Sequence, residues 1–125
     1  MSYIKYNPNP LGLSVGDCTV RAISLMIDKN WQDTYMLLST QGLIMYDMPS
    51  ANRVWGEFLK SIGFARFTIP DYCPDCYTVR DFCLDHPTGE YIVGTGEHVV
   101  AIINGDYYDS WDSGNEIPTF YFKRR

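Results

Sequence analysis

Cysteine and histidine are the side chains of this sequence with the widest chemistry, and it has four of the first and two of the second. Cys18 is the most pointedly placed. It lies in Val15-Gly16-Asp17-Cys18-Thr19-Val20-Arg21-Ala22, where a glycine bend leads into apolar residues of helical spacing. A cysteine in the first turn of a helix faces free backbone N–H groups and the positive end of the macrodipole. Both favour the thiolate, which is the form that attacks a carbonyl carbon. Most free cysteines are instead small apolar core residues, so a catalytic Cys18 requires a base and a group to orient that base.

His98 is the candidate base. It opens the apolar run His98-Val99-Val100-Ala101-Ile102-Ile103, which ends at Asn104–Gly105. That dipeptide is favoured in a two-residue type I′ turn, because both positions take positive φ. With the turn there, Ile103 faces Asp106, Val100 faces Asp109 and His98 faces Trp111. Alternation then puts His98 and Asp109 on one face of the hairpin. Such diagonal neighbours are about 7–8 Å apart, within side-chain reach. Asp109 can accept a hydrogen bond from the imidazole and fix its tautomer, and Trp111 can shield the pair from water. Asp106 and Asp112 fall on the opposite face.

The remaining cysteines give a second pattern. Cys73-Pro74-Asp75-Cys76 and Cys83-Leu84-Asp85-His86 together read C-x2-C-x6-C-x2-H, a spacing that suits a structural zinc ion. Loop, core and helix-end roles account for the same residues. The expectation is therefore no metal, with Cys73, Cys76, Cys83 and His86 as the candidate ligands if one is bound.

The elements that must position these groups follow from periodicity. The first seventeen residues, with their Asn, Pro and Gly, read as an irregular arm. A helix starts near Asp17–Cys18, with Val20, Ile23 and Ile27 on its inner stripe. A second is capped by Asn30, carries Trp31, Tyr35 and Leu38 on one face, and is expected to stop at Gly42. A third is expected from Ala51 to Ile62, capped by Ser50, with Val54, Phe58 and Ile62 inside. Phe67 and Ile69 suggest a short strand, 71–76 a loop, and Thr78 with Asp81 the start of a short helix. Strands are expected at Tyr91–Val93, His98–Ile103 and Asp106–Asp109, with an edge strand at Pro118–Phe122. Helices followed by antiparallel strands imply an α+β class.

Composition narrows the function. A chain of 125 residues with 46% apolar and 20% charged residues, ten Tyr, six Phe and three Trp has enough apolar side chain for one domain with one core. A net charge of −5 with scattered cations argues against a nucleic-acid partner. No apolar run approaches the roughly 18 residues of a membrane span. Met1 to Pro10 has no signal-peptide core, so a cytoplasmic protein with reduced thiols is expected. Lys123, Arg124 and Arg125 read as a solvated end.

Asp17-Cys18 at a helix, His98-Val99-Val100 on a strand, and Asp109-Ser110-Trp111 after a hairpin resemble the papain-like cysteine peptidase superfamily. Asp-Cys with an aspartate as third residue is similar to the bacterial peptidases that trim double-glycine leaders. Gly16-Asp17-Cys18-Thr19-Val20-Arg21-Ala22 is similar to the motif of ovarian-tumour-type deubiquitinases. Compact proteins of this superfamily occur in bacteria and phages. The resemblance implies a papain-like domain over 1–125, with helices packed on a small antiparallel sheet. It implies a thiol hydrolase that cleaves a peptide or isopeptide bond through Cys18, His98 and Asp109, with no cofactor and a peptide or protein substrate. Acyl transfer by the same residues, or a silent phage-encoded binding protein on this fold, are the alternatives. Many papain-like enzymes complete the oxyanion hole with a Gln shortly before the cysteine. Gly12 stands there, and no Gln precedes Cys18. The hole is then expected from the backbone at Asp17 and Cys18, with Asn7 or Asn9 reaching in from the arm.

Overall fold

The structure, a computed structural model, describes residues 1–70 and 77–125. Among these, four helices and six strands follow one another along the chain. They are β1 (Tyr3–Lys5), α1 (Cys18–Ile27), α2 (Trp31–Met45), α3 (Asn52–Ser61), β2 (Phe64–Thr68), α4 (Val79–Asp85), β3 (Glu90–Gly94), β4 (Val99–Ile103), β5 (Asp106–Asp109) and β6 (Phe120–Arg124). The strands form one sheet in the order β1-β5-β4-β3-β6-β2. The α+β class holds, with one amendment: β1 pairs with β5 in parallel, so the sheet is mixed rather than antiparallel throughout.

The central strands explain the layering. Tyr91 to Gly94 and Val99 to Ile102 are buried without interruption, as strands covered on both faces must be. On one face Ile92, Val99, Ala101, Phe120 and Phe122 meet Val20, Ile23 and Met26 of α1, Leu38 of α2 and Trp55, Phe58 and Leu59 of α3. On the other face Tyr91, Val93, Val100, Ile102 and Tyr107 meet Val79, Phe82 and Cys83 of α4. The hairpin register is the one that the Asn104–Gly105 turn demands. Ile103 faces Asp106, Ile102 faces Tyr107 and Ala101 faces Tyr108, and the turn residues have φ of 50° and 80°. The reciprocal capping box of Thr78 and Asp81 also forms.

Several local expectations are corrected. The arm contains β1, because its backbone finds partners in distant β5, a pairing that leaves no mark on local pattern. Gly42 does not end α2, which runs to Met45 and closes on Tyr46 at positive φ. Gly42 is instead a close-packing site, where an added Cβ would lie 2.6 Å from the Asp47 carbonyl oxygen. The inner face of α2 is Thr34, Leu38 and Gly42, with Tyr35 exposed. Ala51, not Ser50, is the N-cap of α3 and makes no side-chain cap. The buried stripe of α3 is Val54, Trp55, Phe58 and Leu59, with Ile62 outside the helix and exposed. β2 begins at Phe64, which is buried, whereas Phe67 is 44% exposed. The last strand is not an edge but lies between β3 and β2. Arg124 is no solvated tail either, since it pairs with Glu90 at 2.6 Å and donates to the Met26 carbonyl oxygen.

Gly94, at the end of β3, faces Phe120 on β6. An added Cβ would lie 2.2 Å from the Phe120 ring, which itself stacks on buried Trp55 with centroids 5.8 Å apart. Gly94→Ala should therefore destabilise by about 1–3 kcal/mol through overpacking. Urea unfolding checks this, and an unchanged midpoint would contradict the packing described here.

Candidate active site

The start of α1, the end of β5 and the turn before β4 meet at one end of the sheet. Cys18 is the first residue of α1. His98 directly precedes β4 and closes the four-residue turn from β3. In that turn the Thr95 N–H donates to the His98 carbonyl at 2.8 Å, and the His98 N–H donates to Thr95 Oγ1 at 3.1 Å. Asp109 is the last residue of β5, one step beyond the Ala101–Tyr108 pair. The hairpin register thus carries His98 and Asp109 to each other, and His98 Nε2 lies 2.5 Å from Asp109 Oδ2. Cys18 lines the same cleft as His98 and Val99, near enough for the imidazole and the Val99 N–H to bear on its charge state. Trp111 packs beside His98 with ring centroids 4.8 Å apart. At 46% exposure it covers one side of the ring rather than sealing it.

Asp109 is 1% exposed, and its carboxylate is saturated. Oδ1 accepts from Arg21 Nη2 and from the Ser110 N–H, both at 2.8 Å. Oδ2 accepts from Ser113 Oγ at 2.7 Å besides meeting His98. Arg21 also pairs with Asp17, and Asp17 Oδ2 accepts from the Trp31 indole N–H at 2.9 Å. One buried guanidinium therefore bridges the residue before the cysteine to the residue behind the histidine. Sequence reasoning missed Arg21 and Ser113. Their one available signal was an arginine on an otherwise apolar helical stripe.

The surroundings set the charge states. Burial pushes the Cys18 thiol up, but the His98 hydrogen bond and charge, the Val99 N–H and the Arg21 cation outweigh it and leave the pKa below its ordinary value. Burial pulls His98 down, but hydrogen bonds to Asp109 and Cys18, with their charges, raise it to about 9. Burial alone would raise Asp109, yet hydrogen bonds from His98 and Ser113 and the nearby cations hold it below the usual carboxylate range. These directions favour a thiolate beside an imidazolium backed by a carboxylate. Cys83 is the contrast: buried against α4's core, its thiol is pushed up to about 11. Iodoacetamide at neutral pH should therefore label Cys18 at least about tenfold faster than Cys83. Time-resolved peptide mass spectrometry checks this, and equal rates would contradict the site.

Cys18 opens onto a cleft of ≈ 720 Å³. Ser14 to Cys18 form one wall, Gly96 to Val99 and Trp111 another, and Ser50 to Asn52 at the start of α3 a third. The expected oxyanion contributors are rearranged. Asn9 accepts from the Leu11 and Leu13 N–H groups, and Asn7 donates to the Leu13 carbonyl, so both brace the arm and neither lines the cleft. The Asp17 N–H is taken by the Val15 carbonyl at 2.8 Å, and its carboxylate turns to Arg21 and Trp31 rather than capping α1. Asn52 lines the cleft from the start of α3. Its Oδ1 accepts from the indole N–H of buried Trp55 at 3.2 Å, so its NH2 group is the end left to donate.

Of the zinc pattern, Cys73 and Cys76 lie outside the described residues. Cys83 is buried in the α4 core. His86 caps the end of α4, with Nδ1 2.9 Å from the Phe82 carbonyl and its ring stacked on Phe82 at 3.9 Å. Among the described residues no helix is long and apolar enough to cross a membrane. No family model, curated protein or solved structure matches this chain.

Proposed function

We propose that the chain is a papain-like thiol hydrolase that cleaves a peptide or isopeptide bond of a polypeptide bound in the Cys18 cleft. The arrangement that carries this reading is Asp109, His98 and Cys18 together at a cleft of ≈ 720 Å³. The Cys18 thiolate attacks the carbonyl carbon, and the C=O π electrons move to oxygen. The oxyanion is met by the Asn52 amide and the backbone N–H at the start of α1. His98, already protonated, gives its proton to the leaving nitrogen as the C–N bond breaks and a thioester remains. Neutral His98 then takes a proton from water, whose oxygen attacks the thioester and returns Cys18 as the thiolate. Asp109 keeps the Nε2 proton in place throughout, so Nδ1 is the atom that shuttles. Reduced thiols at Cys18 and Cys83 suit a cytoplasmic setting in a bacterial or phage-infected cell.

The test is a proteome-wide search for new termini after expression of the wild type and of Cys18→Ala. Termini that depend on Cys18 support hydrolysis. A labelled amine incorporated into proteins in their place would assign the same residues to acyl transfer. Neither product, together with failure of a thiol-directed activity probe to label Cys18, would make the chain a binding protein.

A further inference from the structure

We propose that the outer edge of β2 is a docking surface for an acidic, extended polypeptide segment that adds to the sheet as a further strand. β2 is the last strand of the sheet, and among the described residues nothing pairs with its outer side. Such an edge offers a row of backbone N–H and C=O groups to an incoming strand. The surface along it is lined by Lys60, Arg66, Phe67 and Arg125.

Charge selects the occupant. The protein as a whole is acidic, at −5. Lys60, Arg66 and Arg125 nevertheless line one groove beside β2, and among the described residues none of them is in a salt bridge. Neighbouring cations are already spent: Arg53 pairs with Asp47 and Arg124 with Glu90. The one carboxylate lining the adjoining groove is Glu57. The Arg66 guanidinium lies 4.5 Å over the Phe120 ring of neighbouring β6, which fixes its charge on the sheet face beside β2. Phe67 is exposed and stacked on Tyr121 at 5.2 Å, a fixed apolar surface for alternate side chains of the guest.

A second copy is disfavoured, because pairing β2 with β2 would bring both sets of cations together. Nucleic acid can meet the cations but not the strand edge. The surface also has a route to the cleft. Lys60 and Arg66 line the next groove, which Asn52 joins to the Cys18 cleft along one face of α3. Docking itself does not depend on catalysis, so it is tested on Cys18→Ala protein and stands or falls apart from the hydrolase reading.

The experiment is fluorescence anisotropy with a short labelled peptide of alternating Glu and Val. Its Lys/Val counterpart and a labelled oligothymidylate serve as competing arms, and amide chemical-shift mapping locates the binding. The proposal expects saturable Glu/Val binding that weakens with added salt and shifts concentrated at Phe64–Thr68. Lys60→Gln combined with Arg66→Gln should weaken it about tenfold. Absence of saturable binding would overturn it and leave the cations as guards against edge pairing. Equal binding of the Lys/Val peptide, tighter binding of the oligothymidylate, shifts confined to the Cys18 cleft, or self-association abolished by the double variant would each overturn it as well.

Discussion

Asp109→Asn should lower turnover by about two to four orders of magnitude, mostly in kcat. The carboxylate accepts from four donors, two on each oxygen. An asparagine in the same shape keeps one acceptor atom, which Arg21 and the Ser110 N–H will claim. Its NH2 group then faces His98 Nε2. The imidazole must accept there, which moves its proton to Nδ1. The base is lost along with the counter-charge that sustains the imidazolium. Asp109→Ala is the less informative change, because it would leave Arg21 short of a partner and Ser113 unpaired in a buried site. Asp112→Asn is the control. Asp112 is in contact with Arg80, the Tyr107 hydroxyl and the Gly114 N–H, all apart from His98. It should stay within about twofold of wild type, as exposed ion pairs contribute little. A larger loss at Asp112 than at Asp109 would mean that the hairpin does not deliver Asp109 to the histidine.

Arg21→Met should cost about 3–5 kcal/mol of stability, because it strands two buried carboxylates, Asp17 and Asp109, without their cation. Arg21→Lys should recover only part of that, since one ammonium cannot fork to both carboxylates. Urea unfolding gives the first number. The positioning role has a separate reading: with Arg21 replaced, the pH dependence of Cys18 alkylation should move toward that of an ordinary thiol in the molecules that remain folded. A loss of stability with an unmoved profile would make Arg21 structural only.

The parts of the site that were legible in the sequence rest on local rules. Asn104–Gly105 fixes a turn, the turn fixes a register, and the register places His98 against Asp109. Gly16-Asp17-Cys18 before an apolar stripe is likewise a local helix-start signal. What was not legible is long-range. β1 is strand only because β5 lies beside it. β6 reads as an edge until β2 is seen to pair on its far side. Arg21 has no meaning in sequence until the fold brings Asp109 to it across 88 positions. Asn7 and Asn9 lie off the cleft for a different reason. Asn7 and Asn9 were near in sequence and suitable in type, but short side chains in an Asn/Pro-rich arm satisfy their own backbone first. Asn52 reaches the cleft from a helix with no sequence link to Cys18, held by an indole three residues on.

The most direct test of the account is the alkylation rate of Cys18 in the folded protein as a function of pH. The account predicts an inflection below pH 9, the ordinary thiol value, as the thiolate forms against protonated His98. A second change near pH 9 follows as the imidazolium loses its proton, and the two belong to the coupled pair rather than to either group alone. In Asp109→Asn the first inflection should rise and the second should fall, because the imidazolium has lost its counter-charge. A single inflection at or above pH 9, the same in wild type, in Asp109→Asn and in unfolded protein, would contradict the thiolate–imidazolium pair.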